Sequence, residues 1–412
     1  MSEEGTGTSR PPAWRSVVAW AGAPLIIGAL NEFALHVSVP VVRDEFGLEV
    51  TQAGWMLLAF LIADAAVLIA AGRLGDRFGR RRIAVIGLGL VIIGSGICAV
   101  APNFSILLTG RVIEGIGVGA VFSGLLAIIV DAVPQDSRGR AFGIGALIGA
   151  VAFLASPLLG GLLTEQLSWR WVFILNALIG LAALLTARRF IPSQSGHSGG
   201  PTAGPARLVA CTNFVAGTTV MTLVYATVAL TWLLLVFLLT SAAGLGPTSV
   251  GLMIVAYAVW WLVLPPFTGR LADRVGVRKP MLIGGAVGVV GYATLALSAG
   301  SGNLLLIGCA LALIGIGVSF LIPPSNAASM GHVPPQIRGD ASGVNMTARI
   351  VGSIAGLAVS TVLLDSLEPG DVMASAQTAW IIATVLMLLA VIVSAFAIRV
   401  QEVRADPISA DS

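Results

Sequence analysis

Gly72-Arg-Leu-Gly-Asp-Arg-Phe-Gly-Arg-Arg-Arg82 interrupts a chain that is otherwise almost continuously apolar, and a second copy follows at Gly269-Arg-Leu-Ala-Asp-Arg-Val-Gly-Val-Arg-Lys279, 197 positions on. In the first copy five arginines, from Arg73 to Arg82, surround one carboxylate, Asp76. Its glycines, Gly72, Gly75 and Gly79, suit tight turns and close helix approach. The agreement continues upstream at the same offset, where Gly47, Leu48, Thr51 and Gly54 match Gly244, Leu245, Thr248 and Gly251. Later, Gly115-Ile-Gly-Val118 returns as Gly315-Ile-Gly-Val318, and Val133-Pro134 with Arg138-Gly139 returns as Val333-Pro334 with Arg338-Gly339. The chain is built as two homologous halves, a fold-level property.

The composition names the solvent. With 57% hydrophobic and 10% charged residues and a mean hydropathy of +0.95, the chain is too apolar for a soluble globule. Many windows reach the ~20 residues that cross a bilayer core as a helix. Twelve spans are expected near 16–39, 51–71, 83–101, 105–130, 140–163, 171–190, 208–239, 249–268, 280–299, 303–324, 340–363 and 375–398. The seventh is over-long, so it either starts as an interfacial helix or tilts. No cleavable signal peptide is expected, because residues 1–14 are polar and the first apolar run is too long for one. Cys98, Cys211 and Cys309 lie in apolar spans without metal-ligand or disulfide spacing and read as small hydrophobes.

Charge sets the orientation. Loops on one side, with both tails, hold 19 of the 23 Lys and Arg; the opposite loops hold only Arg43 and Arg170. The positive-inside bias predicts both termini in the cytoplasm of a cell-membrane protein. Trp169 and Trp171 flank Arg170, as amphipathic rings do at the outer interface. Residues 1–190 are expected to form one six-helix bundle, 191–206 a polar cytoplasmic linker, and 207–412 a second bundle with a tail. Six spans per half is an even number, so the halves insert alike and a parallel-repeat transporter follows, with substrate near the midplane.

The sequence resembles the major facilitator superfamily over nearly its whole length, and within it the drug:proton antiporters. The two polar loops are similar to that family's signature between helices 2 and 3 and its repeat between 8 and 9. Arg111-Val-Ile-Glu-Gly115 resembles the helix 4 motif, with Glu114 where many relatives have Gln. Gly149 through Ser156-Pro157-Leu-Leu-Gly160-Gly161 resembles the antiporter motif of helix 5, with Ser156 in place of Gly. Trp169 to Asn176 resembles the start of helix 6 in drug exporters. The resemblance implies an all-α membrane protein of twelve helices in two parallel repeats, working by alternating access. It also implies that Asp76, with Arg77 and the glycines Gly72 and Gly79, latches the halves by meeting the start of helix 11 near Gly339-Asp340-Ala341, with Asp273 and Arg274 as the second copy.

Ionisable side chains at membrane depth are costly and mark cavities or partners. Glu32 and Arg111 share a depth, on helices 1 and 4, which line the cavity together in the family resembled. Either Glu32 alternates between protonated and ionised forms as a proton and substrate site, or a fixed Glu32–Arg111 pair holds helices together. His36 and Glu114, one turn along from Glu32 and Arg111, share their helical faces. His36 either relays protons or caps polar groups near the outer surface, and Glu114 is either part of the site or a protonated stand-in for Gln. Asp64 and Arg349, on helices 2 and 11, either form a cross-half ion pair on the cytoplasmic side, or Arg349 is satisfied by backbone carbonyls within its own half. Gly143, Gly145, Gly149, Gly160 and Gly161 should make helix 5 smooth for packing around Pro157. Pro265-Pro266 and Pro323-Pro324 should bend helices 8 and 10. Tyr225, Trp232, Tyr257, Trp260 and Trp261 are candidates for an aromatic wall.

No nucleotide-binding or catalytic motif accompanies these features, because the glycine clusters lack the strand context of a phosphate loop. The expectation is a monomeric, cofactor-free secondary transporter, not an enzyme, with protons, a small molecule and lipid as partners and no nucleic acid. Proton-driven efflux of a hydrophobic or amphiphilic molecule leads; uptake of a nutrient, or a non-transporting sensor on the same fold, are the alternatives.

Overall fold

A computed structural model of the chain describes residues 13–191, 211–331, 333, 337–366 and 372–398, and these residues are helical with short connections. The first spanning helix, α1, runs Ala13–Ala29, widens into a π-helical turn at Leu30–Ala34, and continues as Leu35–Phe46. Then come α2 (Val50–Phe78), α3 (Arg80–Ala99), α4 (Phe104–Ala132), α5 (Arg138–Gln166) and α6 (Arg170–Phe190). In the second half α7 runs Thr212–Phe237 and ends in a π turn, Leu238–Ala242. α8 is Pro247–Val263 bent by 44° into Pro265–Val275, followed by α9 (Arg278–Ser298), α10 (Leu304–Gly331), α11 (Arg338–Ser366) and α12 (Val372–Phe396). Among the described residues eleven helices are long and apolar enough to cross a bilayer, and α8 across its bend makes a twelfth. Most of the expected linker, residues 192–206, and both tails lie outside the described residues.

The duplication is written in the backbone. Gly79 and its counterpart Gly276 end their polar loops at φ 99° and 79°, and Gly47 and Gly244 turn at φ 63° and 64°. All four angles are left-handed, where a Cβ is strained, so glycine is required at matching places in both copies. The Pro265-Pro266 bend appears at Leu264, whereas α10 passes through Pro323-Pro324 as one helix.

Apolar burial divides along the chain. One cluster draws only on residues between Trp14 and Ile191, another on residues between Ala216 and Ile398 with Val37 and Phe153, and a third joins Leu30, Leu35 and Leu57 to Ala229, Leu233 and Phe237.

Where helices from the two halves meet, glycine lets backbones touch. Gly161 of α5 lies on the Pro247 carbonyl of α8, Gly251 of α8 lies on the Pro157 carbonyl of α5, and Gly54 of α2 faces Thr361 of α11. Gly160 lies on the Ala34 carbonyl beside the π turn. Thr248 at the start of α8 donates its backbone N–H to Glu165 of α5 at 2.8 Å. All these contacts sit toward the end opposite the polar loops. At the loop end the same helices part, and Leu68, Gly143, Leu147, Pro266 and Met346 line an open space.

Candidate functional site

Two polar assemblies occupy the interior, and the π turn of α1 stands between them. Asn31 and Glu32 are neighbours, so their side chains leave the helix in different directions. A π turn inside an α-helix is a recurrent mark of a functional segment.

Asn31 turns toward α4. There Arg111 and Glu114, both 0% exposed, form an ion pair of 2.7 Å one turn apart. The Arg111 guanidinium also donates to the Asn31 side chain and to the Met56 carbonyl, and lies over the Phe60 ring at 4.3 Å. Glu114 Oε1 accepts from Ser95 at 2.7 Å, Asn31 at 3.2 Å and Asn176 at 3.3 Å. A buried ion pair survives desolvation only with such satisfied neighbours. Glu114 accepts in each of these bonds. Asn31, Ser95 and Asn176 are absent from the sequence-based expectation; their one visible signal is a neutral polar side chain inside an apolar span.

Glu32 turns the other way, into a cavity of ≈ 760 Å³. Asp64 of α2 and Arg349 of α11 join it, with Tyr225 of α7 and Trp261 of α8 as the aromatic wall. The expected Glu32–Arg111 pair is therefore not formed; the two residues share a depth but face opposite sides of α1. Arg349 sits over the Tyr225 ring at 5.3 Å. Among the described residues it makes no ion pair within 4.0 Å, so the expected Asp64–Arg349 bridge is open here. Asp64 Oδ1 is buried without a protein partner, against the backbone of α4 at Gly119.

Phe153 of α5 stacks on Trp261 at 4.7 Å and meets Phe33 edge-on at 4.3 Å, so aromatic rings from both halves close the top of the cavity. Neither phenylalanine carries a distinguishing mark in the sequence. Of the expected aromatics, Trp232 packs on Tyr257 at 5.1 Å behind this layer, and Trp260 packs against Gly315. Helix 5 divides as well. Gly143 and Gly149 line the cavity with no atom within 4 Å of where a Cβ would stand, as Gly145 also has, while Gly160, Gly161 and Pro157 make the backbone contacts.

Among the described residues no ion pair joins the polar loops to α11, and the side chains of residues 338–340, where the latch is expected, lie outside them. Asp76 is held by Arg80 at 2.9 Å, and Arg80 reaches Asp131 at the end of α4 at 2.6 Å, all within one half. A Cβ at Gly72 of α2 would stand 4.0 Å from Ser123 on α4, and Arg77 lies over Phe78. Asp273 and Arg274 of the second copy are exposed and make no ion pair among the described residues.

A cavity at the centre of a twelve-helix bundle, open at one end and closed at the other, with three ionisable groups in apolar walls, is the geometry of a carrier. The sequence model of a family described as Major Facilitator Superfamily matches residues 25–356 and 217–411. The chain is 28% identical to "Multidrug resistance protein Stp" of Mycobacterium tuberculosis (strain CDC 1551 / Oshkosh), over 82% of this chain and 73% of that one. It is 22% identical to "Riboflavin transporter RibZ" of Clostridioides difficile (strain 630), over 87% and 90%. Among solved structures, a bacterial homolog to the human lysosomal transporter Spinster in an inward-facing, unoccupied conformation aligns with a TM-score of 0.71 at 17% identity, over 94% of this chain and 98% of that one. A point mutant of the nucleoside transporter NupG aligns with a TM-score of 0.74 at 12% identity, over 94% and 100%. The chain belongs to the Major Facilitator Superfamily: it is a multi-pass membrane protein and a secondary transporter of small molecules, not an enzyme.

Proposed function

We propose that this transporter exports a hydrophobic or amphiphilic small molecule in exchange for protons. The observation that carries the reading is the cavity wall: Glu32, Asp64 and Arg349 are its charged groups, set among leucine, phenylalanine and tryptophan. Such a wall offers an amphiphile apolar contact. It also holds one more acid than base, so one carboxyl can take a proton when substrate leaves. Glu32 is assigned the coupling proton, because it lies beside the aromatic layer that caps the cavity. Asp64 and Arg349 are assigned the gate at the loop end, and the duplicated loops with Asp76 and Asp273 the latch that forms when that end closes. The orientation from positive-inside bias makes the loop end cytoplasmic, and the two bundles, 1–190 and 207–412, would rock about the contacts between them. Similarity to a multidrug resistance protein supports export. Similarity to a riboflavin transporter supports a second reading, nutrient uptake through the same cavity. Purified protein in vesicles, given an imposed pH gradient and either ethidium or riboflavin, separates the two. Uphill ethidium movement against proton flow supports export, and riboflavin accumulation supports uptake.

A further inference from the structure

The charged groups on the cavity wall are left incomplete by the protein itself. Arg349 of α11 lines the cavity and is partly accessible from it. The Tyr225 ring lies beneath its guanidinium at 5.3 Å, and the Tyr225 phenol is its hydrogen-bond partner. A guanidinium carries five N–H donors in a fixed fork, more than one phenol can use. Among the described residues no carboxylate stands within 4.0 Å of it. Asp64 keeps Oδ1 against α4 instead, where a Cβ on Gly119 would stand 2.8 Å from it, and that oxygen is buried without a protein partner. Glu32, beside the aromatic layer, makes no ion pair within 4.0 Å either. Ser353, one turn beyond Arg349 on the same helix face, adds a hydroxyl to the wall.

The ligand that completes this wall follows by elimination. A carboxyl can shed its charge by taking a proton, but a guanidinium cannot, so the cavity keeps one fixed positive charge in every protonation state. A neutral molecule would leave that charge unpaired in apolar surroundings, which is costly at membrane depth. A simple cation would suit an acid but share the cavity with the guanidinium. A simple anion would suit Arg349 but face two acids. We propose that the cavity selects zwitterions: molecules with a flat aromatic body, a carboxylate that Arg349 grips through two N–H groups, and a cationic group that sits on Glu32. The inference rests on the export reading above and narrows its substrate class. Planar carboxylates match the guanidinium fork, and Ser353 stands beside that end. Phe153 and Trp261 would hold the flat body, since aromatic faces attract both rings and cations. The cationic group and the exchanged proton then compete for the same carboxylate of Glu32.

The test compares two dyes that differ by one ester: rhodamine B, a zwitterion at neutral pH, and rhodamine B ethyl ester, a cation with the same aromatic body. Their affinities for detergent-purified protein are measured by titration calorimetry, with no gradient present. Rhodamine B should bind the wild type about 10-fold more tightly than its ester, the lower end of what a hydrogen bond to a charged group is worth. Arg349→Gln should bring the two dyes to equal affinity, and Arg349→Lys, which keeps the charge without the fork, should restore part of the preference. Glu32→Gln should weaken both dyes and leave the preference in place. An ester bound as tightly as rhodamine B by the wild type, no binding of either dye, or a preference that survives Arg349→Gln would overturn the proposal. If the dyes are discriminated but a pH gradient drives no ethidium in vesicles, the zwitterion site stands and the export reading falls. If ethidium is driven and the dyes bind alike, export stands and the zwitterion site falls.

Discussion

Arg111 and Glu32 separate two roles that one type of chemistry can play in a membrane. Arg111 is enclosed, with Glu114, Asn31 and the Met56 carbonyl around it and Phe60 beneath. Removing it leaves Glu114 as an unpaired buried charge, which costs about 3–5 kcal/mol. Arg111→Gln should therefore lower the melting temperature sharply, while Glu32→Gln, with no ion pair to break, should leave it nearly unchanged. A scanning fluorimetry measurement in one detergent compares them directly; equal losses would place Glu32 inside a structural network. Counted along the sequence, these two residues share a depth and read as a pair. Depth along a helix follows from counting residues, but azimuth depends on the π turn at Leu30–Ala34, and nothing in the local composition announces an inserted residue there. The cavity position of Glu32, Asp64 and Arg349 is legible, because charge inside apolar spans is rarely tolerated without use. The polar cage of Arg111 is not, because Asn31, Ser95 and Asn176 come from three helices distant in the chain.

At the scale of helices, α5 and α8 close the far end of the cavity. Gly161 and Gly251 hold them at backbone contact, and Glu165 of α5 accepts the N–H at the start of α8. A carboxylate at a helix N-terminus gains from both the hydrogen bond and the aligned peptide dipoles. Glu165→Gln keeps the bond but removes the charge, and should shift the balance modestly toward opening at this end. Gly161→Leu should do so more strongly, since its side chain would displace the Pro247 carbonyl. Electron-electron distance measurements between spin labels on the far ends of α5 and α8 report the shift; unchanged distances in both variants would remove this contact from the gate. The motif of helix 5 is readable in the sequence as a whole, but its division is not. Whether a glycine packs or lines space depends on which helix lies opposite, and that is a property of the assembled bundle.

The whole molecule is a duplication, legible because the loop Gly72–Arg82 and its copy force the same left-handed glycine at Gly79 and Gly276. In the conformation described, Asp64 and Arg349 line one open cavity without a bridge within 4.0 Å. Pairing would belong to the state in which the loop end closes. Asp64→Asn and Arg349→Gln should each favour the conformation described here, and the double variant should fall short of their sum; additive effects would mean that the two never meet. The 19-to-2 charge bias further predicts that cysteines placed at Ser193 and Ser409 are labelled only from the cytoplasmic side, and labelling from outside would reverse the orientation. The central claim is that Glu32 couples proton entry to export. Each proton moving inward gains about 2.3 kcal/mol per 100 mV of membrane potential, and that energy drives export only if Glu32 can titrate. The direct measurement is transport of ethidium by Glu32→Gln in vesicles, with and without an imposed pH gradient. The account predicts that downhill exchange persists and uphill export disappears; full gradient-driven export by Glu32→Gln would contradict it.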